Sequence, residues 1–310
     1  MPSLTITICT ASRPAALSDL LAALARARPG AWPRDVVVAD NGRDPETAAV
    51  IARASTDALP VRRIAAPLHN IARARNAALA AATGELVLWL DDDQLVGPTF
   101  FEDLERAWAH RPAWSHGLRL PSAPRFEAPV SGPVPAPIPA VVRAWFAPRY
   151  VHEGARVERR AFSTNGLLAP RAASLAVPSP TPEGPFDPWF GTRGGEDTDF
   201  FLRATASGLR FSTTRLATVI ERVPPARANL RYMAQASFRV GFTDATLSRR
   251  TRHPLALVAE VGLRAALDLA LAPLAARDPD ALAEYALSLC RQAGKLWALA
   301  GRDYQHYRAR

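Results

Sequence analysis

The chain has 310 residues, enough for one large domain or two small ones, and 48% of them are apolar, which excludes an intrinsically disordered protein. Its 38 basic and 29 acidic residues leave a net charge of 38 − 29 = +9. No basic run is interleaved with aromatics, so nucleic acid is not the expected partner, whereas an anionic ligand or an acidic lipid surface suits the charge.

Taken in chain order, LTITIC (4–9) predicts a first strand and residues 15–27 a helix. DVVVAD (35–40) predicts a second strand, PETAAVIARA a second helix, and VRRIAA a short third strand. NIARARNAALAAA (70–82) has helical spacing at Ile71, Ala74, Ala78 and Ala82. ELVLWL is a fourth strand and GPTFFEDLERAWAH the helix after it. Strands alternating with helices imply βαβ units and a mostly parallel sheet, and continuously apolar strands imply that both faces are covered. Residues 121–139 hold seven prolines and read as a loop, because proline breaks helices and central strands. RAFSTNGLLAP suggests a returning strand, and GPFDPWFGTRGGEDTDFFLRATASG a loop running into a helix. LRFSTTRLATVIE supplies one or two closing strands, and everything from about 228 reads as helix.

In open α/β sheets, ligands sit outside the carboxyl ends of the strands. Here polar groups gather at those ends: Thr10 and Arg13 after the first strand, Asp40 and Asn41 after the second, and Asp91, Asp92 and Asp93 after the fourth. A run of three carboxylates suits a hard divalent cation, Mg²⁺ or Mn²⁺, shared with a substrate diphosphate. The plainer reading is an acidic turn capping the next helix. No G-x-G-x-x-G follows the first strand, which argues against a dinucleotide site. GGEDTDF places Glu196, Asp197 and Asp199 in a first helical turn, where acids complement the helix dipole and one could act as a general base.

CTASRP, VVVADNG, NIARARNAAL, LWLDDDQ, TNGLL, GGEDTDFFLRA and ERVPPAR stand in the order seen in family 2 glycosyltransferases. Over roughly residues 4–245 the chain resembles the bacterial exopolysaccharide members of succinoglycan type. The resemblance implies a GT-A nucleotide-diphospho-sugar transferase fold: a Rossmann-like, mostly parallel sheet flanked by helices. It implies a catalytic domain over 1–245, including the proline-rich loop 121–139, with a helical C-terminal extension over 246–310. The implied reaction is an inverting, metal-dependent transfer of a hexose from a UDP-sugar to a glycan or lipid-linked saccharide. Asp197 is implied as the base, with Glu196 orienting acceptor or base. Asp40 would bind the nucleotide base, with Thr10 and Arg13 lining the same pocket. Arg75 and Asn76 would face the nucleotide, Asp91 and Asp92 the ribose side, and Asp93 the metal. The chain departs from the family at Glu221, where many members carry a histidine. Acceptor recognition is expected in the proline-rich loop and in 140–160. The alternatives are a sugar-phosphate nucleotidyltransferase, which usually has a Gly-rich phosphate loop that ICTASRP lacks, and a catalytically silent binding module of the same fold.

LALVAEVGLRAALDLALAPL is apolar apart from Glu260, Arg264 and Asp268, which form one charged stripe. A helix this greasy is normally covered, by its own domain, a partner such as a second copy, or lipid. Residues 249–310 hold ten basic and six acidic residues, net +4, which favours contact with an anionic membrane face. MPSLTITICTASRP lacks the features of a signal peptide, and no apolar run reaches membrane-spanning length. With only Cys9 and Cys290, neither a disulfide framework nor a cysteine-rich metal site is available. The expected location is the cytoplasm, at the inner face of the membrane.

Overall fold

A computed structural model describes residues 1–67, 69–127, 138–150, 152–158 and 163–306. Strands β1 (Leu4–Thr10), β2 (Arg34–Asp40), β3 (Val61–Ala65) and β4 (Leu86–Asp91) alternate with helices α1 (Pro14–Arg26), α2 (Pro45–Ala54) and α3 (Ile71–Ala81). The chain continues through β5 (Gln94–Val96), α4 (Phe100–His110), β6 (Gly117–Arg119), β7 (Ser122–Phe126) and α5 (Ala140–Trp145). Next come β8 (Leu167–Pro170), α6 (Arg171–Leu175), α7 (Glu196–Ala206), β9 (Phe211–Thr213) and β10 (Val219–Val223). Three long helices close it: α8 (Leu230–Ser248), α9 (Pro254–Leu271) and α10 (Pro279–Leu299).

The main sheet has the order β3-β2-β1-β4-β8-β6-β9, and within it only β8 runs antiparallel to its neighbours. The chain steps from β1 outward to β3, then returns to place β4 on the other side of β1. That reversal opens a crevice at the carboxyl ends of β1 and β4. The register sets Thr10 beside Asp40 and Cys9 beside Asp91, so strand-end polar residues share one edge. Beneath them the strands are sealed; Ile6, Ile8, Val36, Val38 and Leu88 are fully buried in one apolar cluster. Each such side chain contributes roughly 1.5–3 kcal/mol through loss of contact with water.

Local chemistry starts the helices near the cleft. Asn70 caps α3 by accepting from the Arg73 N–H at 3.0 Å, and its Nδ2 donates to the Pro188 carbonyl at 3.0 Å. Gly194 and Gly195 take left-handed φ values of 82° and 101° just before α7. A Cβ on Gly195 would lie 2.3 Å from Thr243 Cγ2, so α8 packs directly on the start of α7.

Two expectations need correction. The proline-rich stretch begins with a strand: β7 lies within it, at the edge of a small sheet of order β5-β10-β7. Pro124 is tolerated there because an edge strand has one side free of ladder bonds. The rest of that stretch, 128–137, lies outside the described residues, as does the start of the returning segment at 160–162. Second, the boundary drawn after residue 245 falls inside α8, and α10 lies along that helix. On a point the sequence left open, α9 is covered by its own domain on one side only. It buries Leu257, Val261 and Asp268, and turns Glu260 and Arg264 into the cleft. Leu255, Leu263, Leu267 and Leu269 face outward, with Leu263 65% exposed. Of the charged stripe, Asp268 is buried while Glu260 and Arg264 line the cleft and stay open to solvent, and these four leucines point away from the domain.

Candidate active site

A cleft of about 1330 Å³ runs from the ends of β1 and β4, past the start of α7, to α8, α9 and α10. Thr10, Arg13, Arg75, Asp91, Asp92, Asp93, Glu196 and Asp197 line it, so eight of the ten expected site residues meet there.

Arginines hold the strand-end carboxylates. Asp92 is buried and accepts from Thr10 Oγ1 at 2.8 Å and from Arg13 at 2.6 Å. Burial pushes its carboxyl up to about 7, against the pull of Arg13. Asp93 accepts from Arg13 at 3.0 Å and from Arg227 at 2.9 Å, through the same oxygen. Asp91 lies 3.5 Å from Arg75. Desolvation at the cleft floor pushes Asp91 up to about 6, opposed by Arg75 and assisted by the charges of Asp93, Asp197 and Glu221. Its side chain is still 40% open to solvent, which moderates that shift. Glu221, on β10, accepts from Arg227 at 2.6 Å. The family's usual histidine position is thus an ion-pair partner here.

The start of α7 faces this network. Glu196 is buried against Arg75 at 2.7 Å, and burial pushes its carboxyl up to about 7 against the attraction of that arginine. Asp197 is different. Its carboxylate accepts only from the Thr198 N–H at 2.8 Å and Thr198 Oγ1 at 3.5 Å. Among the described residues it has no arginine partner.

Two expected residues are not brought to the cleft. Asp40 is fully buried; one oxygen accepts from the Gly42 and Arg43 N–H groups, the other from Arg63 Nε and a terminal Arg63 nitrogen at 3.0 and 2.7 Å. Its acceptors face the protein, and its neighbour Asn41 lines the cleft instead. Asn76 is turned inward as well. It accepts from the Phe186 N–H and donates to the Phe186 carbonyl, both at 2.8 Å, pinning the loop ahead of α7. Phe186 is stacked on Phe200 at 4.6 Å, which anchors that pin in the core.

Cleft residues that the sequence reading did not place there include Asn165, Arg149, Arg239 and several on α9 and α10. Asn165 stood inside the quoted TNGLL, and Arg227 inside ERVPPAR, so those two had a signal. Arg239 and the α10 residues had none, since only packing of α8–α10 on α7 brings them in.

The architecture is shared with solved glycosyltransferases. The mannosyltransferase PcManGT from Pyrobaculum calidifontis, solved with GDP-Man and Mn²⁺, superposes with a TM-score of 0.62 at 17% identity, covering 96% of this chain and 87% of that one. S. aureus TarS 1–349, solved with UDP, superposes at 0.50 and 15% identity, covering 98% and 93%. The fold is therefore the GT-A fold of these enzymes. Residues 5–120 match the family described as Glycosyl transferase family 2. The succinoglycan biosynthesis protein ExoM of Rhizobium meliloti (strain 1021) is 29% identical over 273 residues, 86% of this chain and 79% of the relative. Residues 5–120 thus match a family 2 glycosyltransferase domain, and most of the chain is similar to a relative in exopolysaccharide synthesis.

Proposed function

We propose that the chain transfers a hexose from a nucleotide sugar, a UDP-hexose by its family resemblance, to a saccharide hydroxyl with inversion, and that Asp197 is the base. The observation that carries this is the contrast in partners: Asp197 is the cleft carboxylate left without an arginine. Asp197 takes the acceptor hydroxyl's proton as that oxygen attacks the anomeric carbon. The bond from that carbon to the diphosphate oxygen breaks on the opposite face, so one displacement inverts the centre. Glu196, held by Arg75, orients the start of α7. Arg13 and Arg227 hold the strand-end carboxylates in place beside the diphosphate, and Thr10 and Asn41 line the nucleotide end.

Crowding of Asp91 by Asp93, Asp197 and Glu221 leaves a concentration of negative charge that a divalent cation would relieve. Mn²⁺ or Mg²⁺ at Asp93 and Asp91 would supply charge neutralisation for the departing diphosphate. The described residues contain no group of three or more His, Cys, Asp or Glu side chains preassembled for a metal, so substrate oxygens would complete the shell.

The test is a thermal-shift screen of UDP- and GDP-sugars with Mn²⁺ and Mg²⁺, followed by donor hydrolysis. A ligand at 100 times its Kd adds about 2.7 kcal/mol to the folded state. UDP-sugar stabilisation that requires the metal is the expected result. No stabilisation by any nucleotide sugar would defeat the reading.

The exposed leucines of α9 support a peripheral membrane position. No helix among the described residues is long and apolar enough to cross a membrane. The arginine flank contributes less than its charge suggests: Arg250 pairs with Asp199 and Asp187, Arg252 pairs with Glu260, and Arg249 donates to the Ala298 carbonyl. Contact with lipid would then rest mainly on the leucines.

A further inference from the structure

The cleft does not stop at the reacting groups. Its far end, under α8, α9 and α10, holds charges that have found each other and charges that have not. Arg291 pairs with Asp244, Arg252 with Glu260 and Arg264 with Asp268. Arg239 on α8 and Lys295 on α10 line the same space, and among the described residues neither makes a contact ion pair or a hydrogen bond, although the charge of Arg239 is felt by Glu196. Both are half-buried. Each stands next in sequence to a close approach in the α8–α10 crossing, where a Cβ on Gly294 would lie 2.0 Å from the Phe238 carbonyl oxygen. Arg239 also lies against the turn that opens α7; a Cβ on Gly194 would meet its Cδ at 3.1 Å. Gln292 adds an independent sign. It is only 5% exposed, lines this end of the cleft, and its Oε1 accepts no hydrogen bond. A buried acceptor without a donor is costly, and a ligand hydroxyl would satisfy it.

Resting on the glycosyltransferase reading, we infer that this chamber is the acceptor site and that it selects a saccharide carrying an anionic group. Arg239 and Lys295 hold the anion, Gln292 accepts from a sugar hydroxyl, and the α7 end of the chamber delivers another hydroxyl to Asp197. Two kinds of acceptor share that chemistry: a sugar joined to lipid through a diphosphate, and a sugar bearing a carboxylate. This moves acceptor recognition away from the proline-rich loop and 140–160, of which Arg149 reaches the cleft.

The experiment is calorimetry on the full chain with the donor end filled by UDP or GDP, whichever binds. The probes are cellobiose, cellobiouronic acid (the same disaccharide with one carboxylate) and decyl diphosphate. At least one charged probe should bind about ten-fold or more tightly than cellobiose, the scale of a hydrogen bond to a charged group. Which one does so identifies the source of the anion. Arg239→Gln and Lys295→Gln should each remove most of that preference, with nucleotide affinity and thermal unfolding unchanged. Equal binding of all three probes, no binding of any, or a preference that survives both substitutions overturns the inference. So does a matching loss of nucleotide affinity in Arg239→Gln, which would assign that arginine to the donor. Failure of every nucleotide to bind would instead remove the glycosyltransferase reading beneath it.

Discussion

The two walls of the cleft handle charge in opposite ways. On the strand-end wall every carboxylate is engaged: Asp92 and Asp93 by Arg13, Asp93 again by Arg227, and Asp91 by Arg75. On the helical wall Asp197, Arg239 and Lys295 make no contact ion pair among the described residues; Asp197 feels Arg75 and Arg239 feels Glu196 only at longer range. A charge balanced within the protein frames a ligand; a charge left unbalanced is available to act on one. Residue type alone does not separate the two, because both walls are built of aspartate and arginine.

The sharpest way to break this contrast is Asp197→Asn. It should lower transfer by roughly 10²–10⁴-fold, the range for loss of a general base, with donor affinity kept. If nucleotide affinity falls and saturated turnover survives, the free carboxylate is a binding group and the distinction between the walls collapses.

Arg75→Ala tests the opposite claim, that the partnered charges are structural. It leaves Glu196 buried without its cation, a loss of about 3–5 kcal/mol in stability. The sign with pH follows from Glu196, whose carboxyl burial already pushes up to about 7. Removing the arginine raises it further, so the folded state gains from protonation at low pH and the destabilisation should be smaller at pH 5 than at pH 8. Urea unfolding at both values reads this out; an equal loss at both would mean that Glu196 is not the group left stranded.

Asp93→Ala separates arginine from metal as the partner of the strand-end wall. If a cation works there, metal-stimulated transfer should fall by about 10²-fold, several kcal/mol of charge stabilisation being lost, while the fold persists. Undiminished transfer in excess chelator would show that Arg13 and Arg227 neutralise the leaving diphosphate by themselves.

The smallest effect concerns the outer side of the helical wall. Leu263→Glu with Leu269→Glu should release the protein from anionic vesicles in co-sedimentation. Each leucine contributes about 1–2 kcal/mol at most to an apolar contact. Binding by the unmodified chain should survive high salt, since the flanking arginines are paired inward and leucine burial is not screened. Salt-released binding would reinstate the arginines. A chain that ignores vesicles but forms a dimer would make a second copy the cover for α9.

Much of the first 120 residues was legible because long apolar runs and helical spacing are local signals, and β1 to β4 and α1 to α4 follow them closely. The short elements β5, β6, β7, α5 and α6 carry too few residues for a period to show. In the site, Asp40 and Asn76 had the right sequence neighbourhoods. Their side chains are claimed by Arg63, 23 positions on, and by the Phe186 backbone, 110 positions on. Helix α9 stayed open in the sequence for the same reason: its spacing defined a charged stripe but not which side faces water. That choice was made by Ser288 on α10, which donates to the buried Asp268.

The glycine contacts between α7, α8 and α10 have a consequence for the product. Gly195 lets Thr243 touch the start of α7, and a Cβ on Gly241 would lie 1.9 Å from the Arg291 carbonyl oxygen, so the three elements stack with no slack. Such a stack acts as a ruler between Asp197 at one end and Lys295 at the other. An acceptor gripped at the far mark can offer the base only the hydroxyl that lies at one fixed span. If the acceptor is held there, backbone-to-backbone contact among these elements, rather than a pocket shaped around each sugar, would set which hydroxyl is offered to Asp197.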